Sequence, residues 1–317
     1  MDDRQQFYDD FYSALEKAME PGGGKLKEIV IPNNNSSMKG ITIKFDNISL
    51  APTIYPDFYY KDWKDGQPVS SIVSGIRSEI MRTLPELTHL SIGNMNRNSA
   101  VTHLYAGVVS YENNKEWLKG IPHERIVDLA VFAKWRFDNS DQDLMTCAKV
   151  TEPLLAYLQL TKEEALKIAK TNTGRNAKFE RLDAIMSEML TEKEMDEVMP
   201  IEGEAIPLHV LTNENGIDGA GVIACPEVLK IVEKQIGEEF YILPSSIHEV
   251  LILPKSQADD VEGLKAMVSI INENEVEPKD RLSDNIYEFD GHSLKLAGTE
   301  LTQEHSISKS VTHHRSR

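Results

Sequence analysis

The chain has 317 residues, with 51 acidic against 34 basic side chains and a formal net charge of -17. Its 40% hydrophobic and 27% charged residues exclude a wholly disordered chain, a collagen-like fibre and a small disulfide scaffold. The acidity also disfavours direct binding to nucleic acids and to anionic membranes, because both repel a polyanion.

Cysteine usage and the chain start predict a reduced, cytoplasmic protein. Cys147 and Cys225 are too few for a disulfide framework and lack the spacing of a Cys-x-x-Cys site. Residues Met1–Gln6 lack the basic and apolar blocks of a signal peptide, and no apolar run approaches the ~20 residues of a membrane span. No His-x-x-x-His pair is present, so we predict neither a metal ion nor a cofactor.

The first 37 residues are predicted to be a helix followed by a flexible, glycine-rich entry. Phe7, Phe11, Leu15 and Met19 recur at four-residue steps, which places them on one helix face. Pro21 and the three glycines after it then break the helix.

Residues 38–205 are predicted to be an N-terminal α+β domain that ends in an acidic linker. Its predicted strands are Met38–Phe45, Ile48–Tyr55, Ile126–Phe137 and Leu144–Thr151. Its predicted helices are Val69–Leu84, a helix from Thr161 to Gly174, and Phe179–Leu190. Thr161 and Glu164 form the pattern of a capping box. The acidic stretch Thr191–Glu204 marks the domain boundary.

Residues 206–297 are predicted to be a second α+β domain. Its predicted strands are Pro207–Thr212, Ala220–Cys225, Phe240–Leu243 and Val250–Leu253, with a hairpin over Ile286–Leu296. Its predicted helices run from Pro226 to Gly237 and over Val261–Ile271. The polar tail, residues 298–317, is expected to be disordered. The recurring order of two strands and one helix predicts an α+β fold with antiparallel hairpins and two subdomains.

The segment Pro244–Glu249 is the most suggestive place for chemistry. A serine becomes a nucleophile when an imidazole takes its proton and a carboxylate orients the ring, so Ser245, Ser246, His248 and Glu249 are candidate catalytic residues. A helical turn would align Ser245 with His248 and Glu249, whereas an extended segment would align Ser246 with His248. The favoured interpretation is structural: a serine caps a turn, and a mostly buried His248 bonds a backbone group or a hydroxyl.

Several motifs resemble the bacterial domain-of-unknown-function family 5688. They are the segments Asn47–Tyr55, Ile121–His123, Ala169–Thr173, Leu211–Glu214 and Phe240–Leu251. The resemblance spans about residues 38–296. It implies a cytoplasmic bacterial protein, one carried on a mobile element, and it implies no particular reaction.

Three functions are compatible with these observations. We predict a non-enzymatic binding or regulatory protein with a protein partner, because no complete catalytic set is present. A Ser-type hydrolase that uses the Pro244–Glu249 segment is the alternative. An acidic nucleic-acid mimic is a further alternative, and it predicts two rows of carboxylates on one face.

Overall fold

The computed structural model describes residues 3–46, 48, 51–89, 95–137, 147–189, 207–244, 246–258 and 260–298. The predicted α+β fold is confirmed, and every strand pairing is antiparallel. Among the described helices, none is long and apolar enough to cross a bilayer.

The N-terminal unit, residues 3–89, has its own apolar core. Its elements are α1 (Asp3–Met19), β1 (Lys25–Asn33), β2 (Ser36–Lys44), β3 (Thr53–Ile54), α2 (Tyr60–Lys64) and α3 (Val69–His89). The predicted stripe of α1 is confirmed, since all four of its apolar residues are buried against β2 and α3. This unit is therefore a three-stranded sheet packed against helices.

Strand β1 occupies residues that the sequence predicted as a flexible entry, and that prediction is wrong. The strand pairs with β2 from Lys25 opposite Lys44 to Asn33 opposite Ser36. A Cβ at Gly24 would lie 3.0 Å from both Ile43 and Met19, so the glycine lets the chain pass close to the core. The predicted strand Ile48–Tyr55 is reduced to β3, and Asn47 lies outside the described residues.

The second sheet is built around one central strand. Its elements are α4 (Arg97–His103), β4 (Leu104–Ser110), α5 (Tyr111–Leu118), β5 (His123–Ile126), β6 (Leu129–Arg136) and β7 (Cys147–Lys149). Strand β6 pairs with β4 on one side and with β5 and β7 on the other. The strand predicted to start at Ile126 starts at Leu129, because Val127, at φ 58°, turns the chain between β5 and β6.

The segment that follows the second sheet along the chain agrees in part with the prediction. Its elements are α6 (Glu152–Leu158), α7 (Lys162–Arg175), β8 (Ala177–Arg181) and α8 (Leu182–Met189). The capping box of Thr161 and Glu164 is confirmed. The helix predicted from Phe179 is wrong over its first turn, because residues 177–181 pair with a later strand and Phe179 stacks on His209. Pairing across the sheet overrides the local helical preference.

The third sheet combines β8 with five later strands. The elements after α8 are β9 (His209–Asn213), α9 (Pro226–Ile236), β10 (Phe240–Leu243), β11 (Val250–Pro254), α10 (Val261–Glu275), β12 (Tyr287–Phe289) and β13 (Leu294–Leu296). The strand order in the sheet is β13-β12-β10-β11-β9-β8. The strand predicted over Ala220–Cys225 is wrong, because Gly219–Ala224 is a 3₁₀ segment. A Cβ at Gly221 would collide with the carbonyl oxygen of Ala106, so glycine lets this segment pack directly on β4.

The main core contains buried residues from both sides of the predicted domain boundary. Leu104, Val131 and Ala169 belong to the same cluster as Leu211 and Ile252. The predicted boundary, Thr191–Glu204, lies outside the described ranges, as does the tail from residue 299. The division at residue 205 therefore stays a prediction.

Candidate functional site

The connection between β10 and β11 contains the predicted site residues. Ser246 is buried, and its hydroxyl donates to Glu249 Oε1 at 2.8 Å and accepts the His248 N–H at 2.9 Å. These bonds close a compact turn of the kind that serine side chains stabilise. Ser245 lies outside the described residues. The Ser246 hydroxyl thus directs its proton to Glu249, whereas a catalytic relay would direct it to the imidazole.

The His248 ring joins two other segments of the chain. Its Nδ1 accepts the Asp218 N–H at 3.1 Å, and its Nε2 lies 3.4 Å from Asp280 Oδ1. A ring that accepts at Nδ1 carries its proton on Nε2, which can then donate to Asp280. The side chain is 32% exposed. The ring therefore has the backbone partner expected from the structural interpretation, while the catalytic role of the segment stays a prediction.

Asp218 connects this turn to a polar cleft. The residue has a left-handed backbone, with φ 54°, at the end of the loop after β9. Its carboxylate forms an ion pair with Lys134 of β6. The polar cleft is lined by β4, β6, β7, the end of α7 and the Asn213–Asp218 loop, and it encloses about 30 Å³. His248 thus bonds the backbone of Asp218, and the Asp218 side chain forms an ion pair with Lys134 in the cleft.

Strand register places cationic side chains at and beside the polar cleft. Lys134 lies opposite Tyr105 on one side and opposite Lys149 on the other. Arg136 lies 3.6 Å above the Tyr105 ring and donates to its hydroxyl. Burial, and then the charge of Lys134, lower the pKa of Lys149 to about 8. The cleft lining thus carries two cations, Lys134 and Arg136, and two carboxylates, Asp218 and Glu214.

An apolar groove lies beside strands β10 and β11. It encloses about 340 Å³ between α10 and the third sheet. Nine apolar residues line it, together with Asn272: Leu182, Leu208, Leu243, Leu251, Leu253, Leu264, Met267, Val268 and Ile271. Three large side chains of α10 are exposed, Met267 at 47%, Ile270 at 60% and Ile271 at 44%. Exposed apolar side chains beside an apolar groove are typical of interaction sites.

One comparison with known proteins gives a match. The family of unknown function DUF5688 matches residues 4–291. The chain belongs to this family. No curated protein and no solved structure matches it. The match includes residues 4–37, which lie before the motifs that resemble this family. The N-terminal unit is therefore part of the DUF5688 pattern.

Sequence reasoning identified neither the polar cleft nor the apolar groove of this DUF5688 member. The cleft residues Tyr105, Lys134, Thr173 and Asp218 come from four separate stretches, and only strand register and packing bring them together. The groove did leave a sequence signal. Helix α10 carries Met267, Ile270 and Ile271 in addition to its buried stripe, which is a wider apolar arc than one packed face needs.

Proposed function

We propose that this protein is a non-enzymatic binding protein, and that the apolar groove takes an amphipathic helix with a basic polar face from a partner protein. The groove carries the proposal: about 340 Å³ lined by nine apolar side chains and a single amide. Grooves of this kind bind helices through apolar anchors at i, i+3, i+4 and i+7.

The shape of the third sheet supports a helical occupant. Helix α10 packs over Tyr241, Leu243 and Leu253 on one face of the sheet. The groove continues that face towards Leu208 and Leu182, beside α10. A helix is the element that usually covers an apolar sheet face, so a partner helix beside α10 would complete the layer.

Charge favours a basic partner. Helix α10 carries Glu262, Glu273 and Glu275 in exposed positions against one lysine, Lys265. The whole chain has a net charge of -17. This acidity steers basic partners towards the groove and repels acidic ones, a second copy of the chain included.

The β10–β11 turn supports a binding role over hydrolysis. The Ser246 hydroxyl donates to Glu249, and both nitrogens of His248 face groups other than a serine. We also propose a cytoplasmic location, which the two free thiols, Cys147 and Cys225, support.

Fluorescence anisotropy with a labelled helical peptide tests the proposal. The probe is a peptide of about 14 residues with lysines on one face and leucines on the other. A matched glutamate–leucine peptide and a peptide with the same residues in scrambled order are the controls. Met267→Glu changes the groove, and Ile231→Glu makes the same kind of change at a side chain of α9 that is 55% exposed.

We expect the lysine–leucine peptide to bind the wild type and Ile231→Glu with equal affinity. Met267→Glu should weaken binding at least about tenfold, because it places a charge where an apolar anchor packs. The scrambled and acidic peptides should bind weakly. Equal binding to Met267→Glu would refute the proposal. So would a dimer in light scattering that Met267→Glu dissociates, because the groove would then bind a second copy.

A further inference from the structure

Strand β1 lies at the edge of the three-stranded sheet of the N-terminal unit, whose strand order is β1-β2-β3. On β2, the Ile43 N–H donates to the Pro52 carbonyl at 2.9 Å, on the side of β3. Ile43 therefore makes no backbone bond to Leu26, which lies opposite it on β1. Antiparallel pairs alternate between bonded and non-bonded, so the N–H and C=O groups of Leu26, Glu28 and Val30 all point away from β2.

These outward groups form an open hydrogen-bonding edge. Among the residues that the structure describes, none bonds to the outward N–H or C=O groups of Leu26, Glu28 or Val30. The next outward carbonyl, that of Pro32, accepts from Lys149 Nζ at 2.8 Å, as the alternation requires. Pro32 has no N–H, so the open edge ends there. An edge of unpaired backbone groups is a template for a further strand.

The tip of the β1–β2 hairpin is fixed against the rest of the protein. The buried Asn34 amide donates to the Lys279 carbonyl at 3.0 Å and to the Arg281 carbonyl at 2.7 Å. The Asn35 N–H donates to Asn114 Oδ1 at 2.8 Å. These bonds hold β1 in place before another strand is added. A pre-ordered edge reduces the entropy cost of binding.

A second groove follows this edge on the face that α1 covers, and it is called the edge groove below. It encloses about 370 Å³ between α1 and β1. Two carboxylates line it, Asp9 and Glu28, against one cation, Lys39, which lies 5.7 Å from the Tyr8 ring. None of these three charged groups forms an ion pair with a described residue. Lys27 lies on the opposite face of the strand. The edge groove therefore favours a basic side chain.

We propose that β1 binds an extended peptide of a partner protein as an added antiparallel strand, with a basic side chain of the peptide in the edge groove beside Glu28. Backbone bonds to the open edge supply affinity, and alternate side chains supply specificity. An opposite charge beside Glu28 stabilises the strand pair. On the other face, the half-buried Ile29 and Ile31 offer apolar contacts. This site is separate from the apolar groove beside α10.

A second copy of the chain fits this edge poorly. Symmetric antiparallel pairing centred at residue 26 or 27 would bring lysines directly opposite each other, and pairing centred at Glu28 would do the same with two carboxylates. Pairing centred at Ile29 or Val30 would need the N–H that Pro32 lacks. Each copy also has a net charge of -17, which opposes self-association.

Fluorescence anisotropy with a labelled peptide of alternating lysine and valine, nine residues long like β1, is the first test. In a bonded antiparallel pair both side chains lie on one face, so the lysines that enter the edge groove direct their own N–H groups to β1. N-methylation of the lysines should therefore abolish binding, and N-methylation of the valines should preserve it. A glutamate–valine peptide should bind weakly. Equal binding of the two methylated peptides would overturn the proposal.

Val30→Pro tests the edge from the side of the protein. It removes an outward N–H and keeps the bonds between β1 and β2, because proline is tolerated where the N–H of an edge strand faces solvent. Binding should weaken at least about tenfold. Val30→Thr, which keeps the N–H, and Met267→Glu, in the apolar groove, are the controls and should bind like the wild type. Wild-type affinity of Val30→Pro would overturn the proposal. So would a wild-type dimer that Val30→Pro dissociates.

A second measurement needs no variant. Amide hydrogen exchange by NMR should be fast at Glu28 and Val30 in the free protein, and slow at Ile29 and Ile31, whose N–H groups bond to β2. A saturating concentration of the lysine–valine peptide should slow exchange at Glu28 and Val30 at least about tenfold. Unchanged exchange at both of these amides would overturn the proposal.

Discussion

The β10–β11 hairpin joins two regions of opposite character. Where the strands end, Leu243 and Leu251 form a cross-strand pair in the apolar groove. Beyond them, His248 in the turn accepts a hydrogen bond from the backbone of Asp218, which lines the polar cleft. In the turn, the Ser246 hydroxyl and the His248 ring are hydrogen-bonded within the fold, whereas in the groove Met267 and Ile271 are nearly half exposed.

This difference separates residues that maintain the structure from residues available for binding. A polar group bonded inside the fold stabilises it, and its removal leaves the partner group unsatisfied. An exposed apolar side chain adds little to folding but offers area to a partner. Changes around the turn should therefore lower stability, and changes in the groove should lower binding alone.

The largest loss of stability is expected for Asp218→Ala. It removes the carboxylate that pairs with Lys134, whose side chain is only 17% exposed. An unpaired, largely buried ammonium should lower the free energy of unfolding by about 3 kcal/mol, measured in urea. The double variant Asp218→Ala with Lys134→Met should recover part of the loss. If Asp218→Ala were as stable as the wild type, the ion pair between Asp218 and Lys134 would not stabilise the fold.

His248→Asn should lower the free energy of unfolding by about 1–2 kcal/mol. The shorter side chain cannot both accept from Asp218 and reach Asp280. His292→Asn, at an exposed turn, is the control and should change stability by less than about 0.5 kcal/mol. If His248→Asn were as stable as the wild type, the ring would have to be assigned a role other than structural support.

Ser246→Ala should cost about 1 kcal/mol, since it removes the hydroxyl that bonds Glu249 and the His248 N–H. In the same experiment, a fluorophosphonate probe should not label the wild-type protein stoichiometrically. Ser246→Ala and Ser245→Ala are the controls. Stoichiometric labelling that either variant abolishes would establish the hydrolase alternative and refute a purely structural turn.

Lys149→Met tests, through pH, the burial of the Lys149 ammonium beside Lys134. The pKa of Lys149 is lowered from its ordinary 10.5 to about 8, so between these pH values the unfolded chain binds more protons than the folded one. The stability of the wild type relative to Lys149→Met should therefore rise from about pH 8 to 10.5 and stay constant below pH 8. A difference that is flat across this range would contradict the lowered pKa.

Met267→Glu should have the smallest effect on stability, within about 0.5 kcal/mol of the wild type, because the side chain is 47% exposed. Urea unfolding measures this directly. A loss above about 1 kcal/mol would mean that the groove wall is part of the folding core, and the contrast with the turn would no longer hold.

The elements that the sequence predicted well are those with local signals. The spacing of Phe7, Phe11 and Leu15 defines α1, and the pair Thr161–Glu164 starts α7. Pro226 and Gly237 bound α9. Each signal lies within a few residues of the structure that it determines, so it can be recognised without the rest of the chain.

The elements that it missed depend on distant partners. Strand β1 is stabilised along its whole length by β2, and β8 by β9, which follows it only after residues 182–208. The 3₁₀ segment Gly219–Ala224 packs closely on β4, which is distant in the sequence. For the candidate site, the sequence indicated the Pro244–Glu249 stretch, whose catalytic role stays a prediction. It did not indicate the Asp218–Lys134 pair, because nothing local links these two residues.

Methyl NMR tests the binding role of the groove most directly. The wild-type chain, with labelled Met, Leu and Ile methyl groups, is titrated with the lysine–leucine peptide. We predict that shifts concentrate on groove residues such as Met267, Leu264 and Leu208, and that Ile231, an exposed residue of α9, does not move. Shifts spread equally over Ile231 and the groove, or no shifts at all, would contradict the proposal that this groove binds a partner helix.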